Sequence, residues 1–293
     1  DVRDEAENFW RYLTDPEDES RMVRGWLFAT FLGGSPAAAA INLTQPVMMT
    51  APHLTQYANP ARVVTEMTKA SMEGATGRVG MDVRAAYNRA KEEGVIAPHE
   101  IYQLMAEASG RVVDRWAVTH RLTRFWGGMF SLAEAFNRRV TFIAAYRIGV
   151  HNKVPDPYRF AVQVVQETQG IYNRGNRPNW ARGRAGAVIF TFKQFSIGFL
   201  EWWKRLPPKQ RLLVFVQLWL VAGLAGIPFA DDLEDLIDAM GQWLGYGTNS
   251  KKWLRQNATR ILGEHGAQFV LHGVSAGLPL DISTRLGLGN LVP

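Results

Sequence analysis

Two groupings of residues in this chain of 293 could do chemistry, and they point in different directions. The first is Gly273-Val274-Ser275-Ala276-Gly277, preceded by His272, which fits the G-x-S-x-G pattern of a nucleophile elbow. That pattern activates a serine only on a strained strand-to-helix turn that lifts the hydroxyl above a sheet. Here a helical periodicity leads into the motif and Pro279 follows shortly after it. No alternating pattern nearby suggests a sheet. A turn of small residues that lets backbones approach closely accounts for the same five residues, and the chain is read as a non-enzyme.

The second grouping is basic and aromatic. Arg174, Arg177, Arg182 and Arg184 are interleaved with Tyr172 and Trp180. Guanidinium forks grip phosphate, while aromatic rings stack on bases or settle among lipid headgroups. C-caps and salt bridges between helices would use the same residues. From Arg138 to Arg211 there are fourteen Lys/Arg against three acids, and Lys204, Arg205, Lys209 and Arg211 close that block. Asp231, Asp232, Glu234, Asp235 and Asp238 follow with no base among them. A basic block beside an acidic one suits contact with a polyanion, DNA or anionic lipid, over part of the surface.

Other chemistries find little support. The six histidines are scattered, without metal-ligand spacing, and there is no cysteine to bind zinc or form a disulfide. The glycines between Gly74 and Gly80 are not followed by the Lys-Ser/Thr of a phosphate loop and read as a turn. No cofactor and no metal is expected.

The elements that must carry these residues are helical. Hairpin signals are scarce and apolar spacing of three and four recurs, so the fold class is all-α: a multi-helix assembly of amphipathic and strongly apolar helices ending in a Gly/Pro-rich tail. Residues 4–14 form a short amphipathic helix through Phe9, Trp10 and Leu13. Residues 37–60 make either a short buried helix or a packed loop. Pro98 opens a long helix toward His120, with a kink at Gly127-Gly128 a possibility, and Asp156-Pro157 opens the next. Leu233, Leu236, Ile237, Met240 and Trp243 mark an amphipathic helix with an acidic outer face, and 257–271 a last one. This organises the chain as an N-terminal helical region (1–97), a helical domain with the basic loop (98–272) and a tail (273–293). The missing initiator Met and the end at Pro293 suggest a segment of a longer polypeptide.

Residues 212–230 carry a single polar side chain, Gln217, and are long enough to cross a hydrocarbon core if helical throughout. Bases stand before this stretch and acids after it. Its lipid-facing candidates are Trp202, Trp203, Leu212, Leu213, Phe215, Trp219, Leu220 and Leu224, with tryptophans near the ends as an interfacial belt requires. Gly223, Gly226 and Pro228 weaken the C-terminal half of that stretch, and a central helix of a soluble bundle can be just as apolar. Both readings hold if the protein changes state.

The tail Gly277-Leu278-Pro279-Leu280-Asp281-Ile282-Ser283-Thr284-Arg285-Leu286-Gly287 resembles the signature of PLxRFG-type large polyvalent phage proteins, carried by Pro279, Leu280, Arg285, Leu286 and Gly287. It departs from that signature in its spacing before Arg285 and in having leucine where phenylalanine is expected. Phe136-Asn137-Arg138-Arg139, Ala144-Ala145-Tyr146-Arg147, Thr191-Phe192-Lys193-Gln194-Phe195 and Pro228-Phe229-Ala230-Asp231-Asp232 resemble the helical region that precedes it, so the likeness spans about half the chain. The resemblance implies an internal virion protein of a bacteriophage, held in the capsid and ejected with the genome. It would then help form a conduit for DNA across the host envelope, at the periplasm and inner membrane. The partners implied are further copies in a homo-oligomeric ring, portal or companion ejection proteins, the host inner membrane and, by non-specific contact, genomic DNA. A soluble structural module packed on portal or capsid, a DNA-binding module and a serine hydrolase using Ser275 are the alternatives.

Overall fold

The computed structural model describes residues 2–14, 23, 39, 42–97, 117–169, 179–224, 230–243 and 249–274. Among these the chain is all-α, with no strand. In chain order the helices are α1 (Val2–Thr14), a π-helix (Pro46–Thr50) running into α2 (Ala51–Leu54), α3 (Pro60–Thr76), α4 (Met81–Glu92) and α5 (Ala117–His151). There follow α6 (Pro157–Thr168), a 3-10 turn (Asn179–Ala181), α7 (Arg184–Arg205), α8 (Pro208–Ala222), α9 (Ala230–Trp243) and α10 (Ser250–His272). Pro98 falls outside the described residues, and α5 runs as one helix through Gly127-Gly128.

The main core is built around the second half of α5. Val140, Phe142, Ile143, Ala144, Ala145 and Ile148 are all buried, so this helix is enclosed on nearly every side. Val63, Met67 and Ala70 of α3, Val83 and Ala90 of α4, and Ala161, Val164 and Val165 of α6 close around it. The core therefore unites residues on both sides of position 97, where the sequence pattern suggested a division.

Local chemistry sets the ends of these helices. The Asn59 side chain accepts from Arg62 N at 2.8 Å ahead of Pro60, and α3 stops where Gly77 turns left-handed at φ 68°. Asp156 caps α6 in the same way, accepting from Arg159 N at 2.9 Å ahead of Pro157. Gly74 lets α3 approach α5 closely, since a Cβ there would lie 3.1 Å from Val140 Cγ2.

A polar seam crosses this core. The Thr50 hydroxyl meets those of Thr141 (2.9 Å) and Thr168 (3.2 Å), and Gln169 Nε2 donates to Thr141 (3.0 Å) and Thr50 (3.2 Å). It ties the π-helix, α5 and α6 together, so residues 42–54 form the short buried helical segment, one of the two forms that the sequence allowed. At the rim, Arg147 of α5 donates to Asp82 Oδ2 (2.7 Å) and Glu73 Oε1 (2.8 Å), clamping α3 and α4 to α5.

A second, smaller core lies between α7 and α8. Phe199, Trp202 and Leu206 pack with Val214, Leu218 and Ala222 against Met48 and Met49 of the π-helix. Gln210 Nε2 to Thr55 Oγ1, at 3.5 Å, adds a weak polar link at the same joint.

Candidate interaction surface on the second helical half

Helix α8 is laid out by its ends. Pro207-Pro208 starts it, with Pro208 in the first turn, where its missing N–H costs nothing. Arg211 donates to the carbonyls of Leu206 (2.7 Å) and Lys204 (2.5 Å), satisfying the open end of α7 and fixing the turn between the two helices. Trp203 Nε1 returns a hydrogen bond to Arg211 O at 3.2 Å.

The far end corrects the expectation of a membrane-spanning helix over 212–230. α8 closes after fifteen residues, at Gly223, whose φ of 64° and ψ of −159° leave the helical region. Fifteen residues at about 1.5 Å each reach roughly 22 Å, short of the ~30 Å of a hydrocarbon core. Among the described residues no helix is long and apolar enough to cross a membrane. The cause is a tertiary contact. A Cβ on Gly223 would sit 2.3 Å from backbone atoms of Leu271 and His272, at the end of α10. Gly273, with φ 65° and ψ −157°, approaches in turn, its Cβ direction lying 2.6 Å from Gly223 N. One turn back on each helix, the rings of Trp219 and Phe269 meet edge to face at 6.1 Å. The two helix ends thus lock backbone to backbone in a nearly symmetric pair.

The middle of α8 has two apolar sides. Gln210, Val214, Leu218 and Ala222, spaced by four, are buried against α7 and the π-helix. The opposite row, Leu212, Val216 and Leu220, is exposed, with Leu212 at 64%, and Phe215 is exposed beside it. Lys209 stands at the N-terminal end of that row, and Lys204, Arg205 and Lys209 are all exposed. Contiguous exposed apolar residues at a charged border make this row the candidate interaction surface.

The structure sorts the lipid-facing candidates. Leu212, Phe215 and Leu220 face out; Leu213, Trp219, Leu224 and Trp203 are half-buried; Trp202 is core, packed on Phe199 at 5.6 Å between ring centres. Trp202 is therefore no part of an outward belt, because α7 turns that side onto α8. Val216 is the residue the sequence reading missed, although its spacing of four from Leu212 and Leu220 was there to read.

The basic candidates divide too. Arg211 is a carbonyl clamp. Arg182 stacks over the rings of Phe9 (5.1 Å) and Tyr12 (4.7 Å) and pins α1. Arg184 is exposed, and Arg205 makes a loose, exposed pair with Glu201 at 3.9 Å. Arg174 and Arg177 lie outside the described residues, as do Ser275 and the tail residues Pro279, Leu280, Arg285, Leu286 and Gly287. α10 ends at His272, ahead of Ser275, and among the described residues there is no strand. No group of His, Asp or Glu among them could hold a metal ion.

Compared with protein-family models, curated proteins and solved structures, the chain matches none.

Proposed function

We propose that this chain is a helical segment of an internal virion protein of the ejection type, in which the outer face of α8 exchanges protein neighbours for lipid. In this reading the protein is carried in a bacteriophage capsid, leaves with the genome and assembles at the host envelope into a conduit for DNA. The single observation that supports it is the exposed row Leu212, Val216 and Leu220, flanked by Phe215 and bordered by Lys204, Arg205 and Lys209. A helix that is apolar on all sides belongs in a core or against lipid, and α8 has a core on one side only. Its length suits lying in the interface, apolar row down and lysines at headgroup phosphates, rather than spanning.

The tail resemblance to PLxRFG-type polyvalent phage proteins supplies the virion context. Helical segments fit delivery through a narrow portal, since each closes its hydrogen bonds locally and can reform afterwards.

Flotation of the full chain with vesicles tests the reading. Binding is expected to vesicles containing anionic phospholipid, weaker to neutral ones, and lost in a Leu212→Asp/Val216→Asp variant. Absence of flotation with either lipid overturns it and leaves the second reading, a structural virion module packed on portal or capsid. The short α8 is the observation that favours this alternative.

A further inference from the structure

Helix α10 is broken at one residue. Gly263 stands at φ 72° and ψ 176°, a region open essentially to glycine alone, with helix on either side of it. Gly223 and Gly273 leave the helical region in a similar way, but there each meets the other's backbone. Around a Cβ on Gly263 there is nothing within 4 Å, so no neighbour imposes the bend. Glycine enters a helix at modest cost and no proline lies in 250–272, so a straight backbone is open to the same residues. The two halves are also held separately. Ser250 N donates to Asp238 Oδ1 (2.7 Å) and Ser250 Oγ to Glu234 O (3.3 Å), which fixes the first half on α9. The ring pair Trp219 and Phe269 and the approach of Gly223 to Gly273 fix the second half on α8.

The bend leaves two apolar faces bare. Gly223 meets Gly273, and one turn earlier Trp219 meets Phe269, so α8 and α10 run in the same direction into their joined ends. In both pairs the partners are fifty positions apart. Carried back at helical spacing, that register sets Val216 against Gly266 and Leu212 against Leu262, with Ala258 and Thr259 opposite Pro208 and Lys209. A branched side chain would meet glycine, and leucine would meet leucine. Leu212 and Val216 are exposed in the bent form, and Leu262, just before the break, is 53% exposed.

We infer that Gly263 is a hinge, and that α10 in a straight form lies along α8 as an intramolecular cover for its outer row. The contact present at the two helix ends is the start of that packing, and straightening extends it. The occupant of the row is therefore the first half of α10, selected by continuity with an existing interface. Charge holds the cover open. In the straight form Arg255 comes to the end of α8 that carries Arg205 and Lys209, and like charges oppose the approach. This inference rests on the proposed function only for its consequence, that a covered row cannot meet lipid.

The test is a pair of distances in the full chain without lipid. The chain has no cysteine, so spin labels go only where cysteines are introduced. Lys252→Cys/Gln268→Cys reports the bend within α10, and Phe215→Cys/Gln256→Cys the gap between α10 and α8; all four side chains are exposed. The unsubstituted hinge is expected to give a short first distance and a long second one. Gly263→Ala bars the bent form and should bring the first to about 24 Å, sixteen residues at ~1.5 Å each, while the second shortens. Arg255→Glu leaves the hinge intact and removes the repulsion, so it should shift both distances in the same sense. Gly263→Pro cannot continue a helix and should shift neither that way. Flotation with anionic vesicles is expected to fall about tenfold in Gly263→Ala, as for an open fraction cut to a tenth.

A first distance unchanged in Gly263→Ala overturns the inference, as does one that lengthens while the second does not shorten. Undiminished flotation of a straightened variant overturns it too. Should circular dichroism show that Gly263→Ala loses α10, the Arg255→Glu distances decide, and no shift there sinks the hinge. If both distances move as expected and even the wild type does not float, the cover stands and only the lipid reading falls.

Discussion

Helices α5 and α8 are both rich in apolar side chains, yet they spend them differently. From Val140 to Ala145 six consecutive residues of α5 are buried, because α3, α4 and α6 surround the helix. In α8 only every fourth residue is buried, because α7, the π-helix and the end of α10 cover one side. An apolar helix becomes core only where enough elements pack around it; elsewhere the same composition makes a surface. The first half of the molecule encloses its apolar helix, and the second leaves an apolar row of α8 exposed.

The sharpest way to break this comparison is to cut the same kind of side chain from each helix. Phe142→Ala should destabilise the protein by about 3–5 kcal/mol, the cost of truncating a fully enclosed aromatic residue. Leu212→Ala should change stability by no more than about 0.5 kcal/mol, as expected for an exposed position. Denaturant melts of the two variants measure both. A large loss at Leu212 would mean that the α8 face is already covered.

The next effect is confined to the second half. Gly223→Ala forces a side chain into φ 64° and onto the backbone of α10, at a cost of roughly 2–4 kcal/mol. Amide exchange should accelerate in α8 and in the last turns of α10, while α3, α5 and α6 keep their protection. Equal acceleration throughout would show one cooperative unit in place of two unequal ones.

What could be read beforehand follows the range of the interactions involved. Asp156-Pro157 acts on its own helix end, so that boundary was visible in the sequence; Asn59-Pro60 and Gly77 act as locally but were not read as the ends of α3. Gly223 was legible only as a weak point beside Gly226 and Pro228: glycine within an apolar run is compatible with a helix, and the backbone contact that fixes the stop there comes from the end of α10, far along the chain. Trp202 looked like a belt residue because tryptophan suits interfaces, but the packing of α7 on α8 decided its place. The roles of Arg182 and Arg211 also lie in partners that spacing does not reveal, namely the rings of α1 and the carbonyls of α7. The exposed row on α8 was legible in its periodicity, but which of its two apolar sides would be left open was not.

A smaller effect sharpens the description of the first half. Arg147 is largely buried and holds Glu73 and Asp82 together, and that hydrogen bond keeps the Asp82 carboxyl below its usual pKa. Arg147→Ala should cost about 2 kcal/mol, less than breaking a fully buried pair because Asp82 is largely exposed. A stabilised Asp82 carboxylate contributes above its unfolded pKa and loses that contribution as pH falls through the folded one. The variant's deficit should therefore shrink in strong acid, which melts at several pH values will record.

The smallest effect lies at the joint between the halves. His53, on α2, is buried, and its Nε2 stands 3.5 Å from Glu167 Oε2 of α6. Burial pushes its pKa below the usual 6.5, and the Glu167 carboxylate offsets this in part. Tyr57 and Gln56 face it from the turn after α2, and burial raises the Tyr57 pKa, away from the acid range. In the unfolded chain His53 takes up its proton at higher pH than in the folded one. Folding is therefore unaffected by this residue well above pH 6.5 and loses stability as pH falls below that value. Because α2 touches both the main core and α8, mild acid should first loosen the joint, seen as faster exchange in α2 and at the end of α6. His53→Gln should flatten the dependence of the denaturation midpoint on pH between about 7 and 5, the window set by the ordinary imidazole pKa. If the slope persists in that variant, the acid response belongs to another group, and the joint is no weaker than the core it borders.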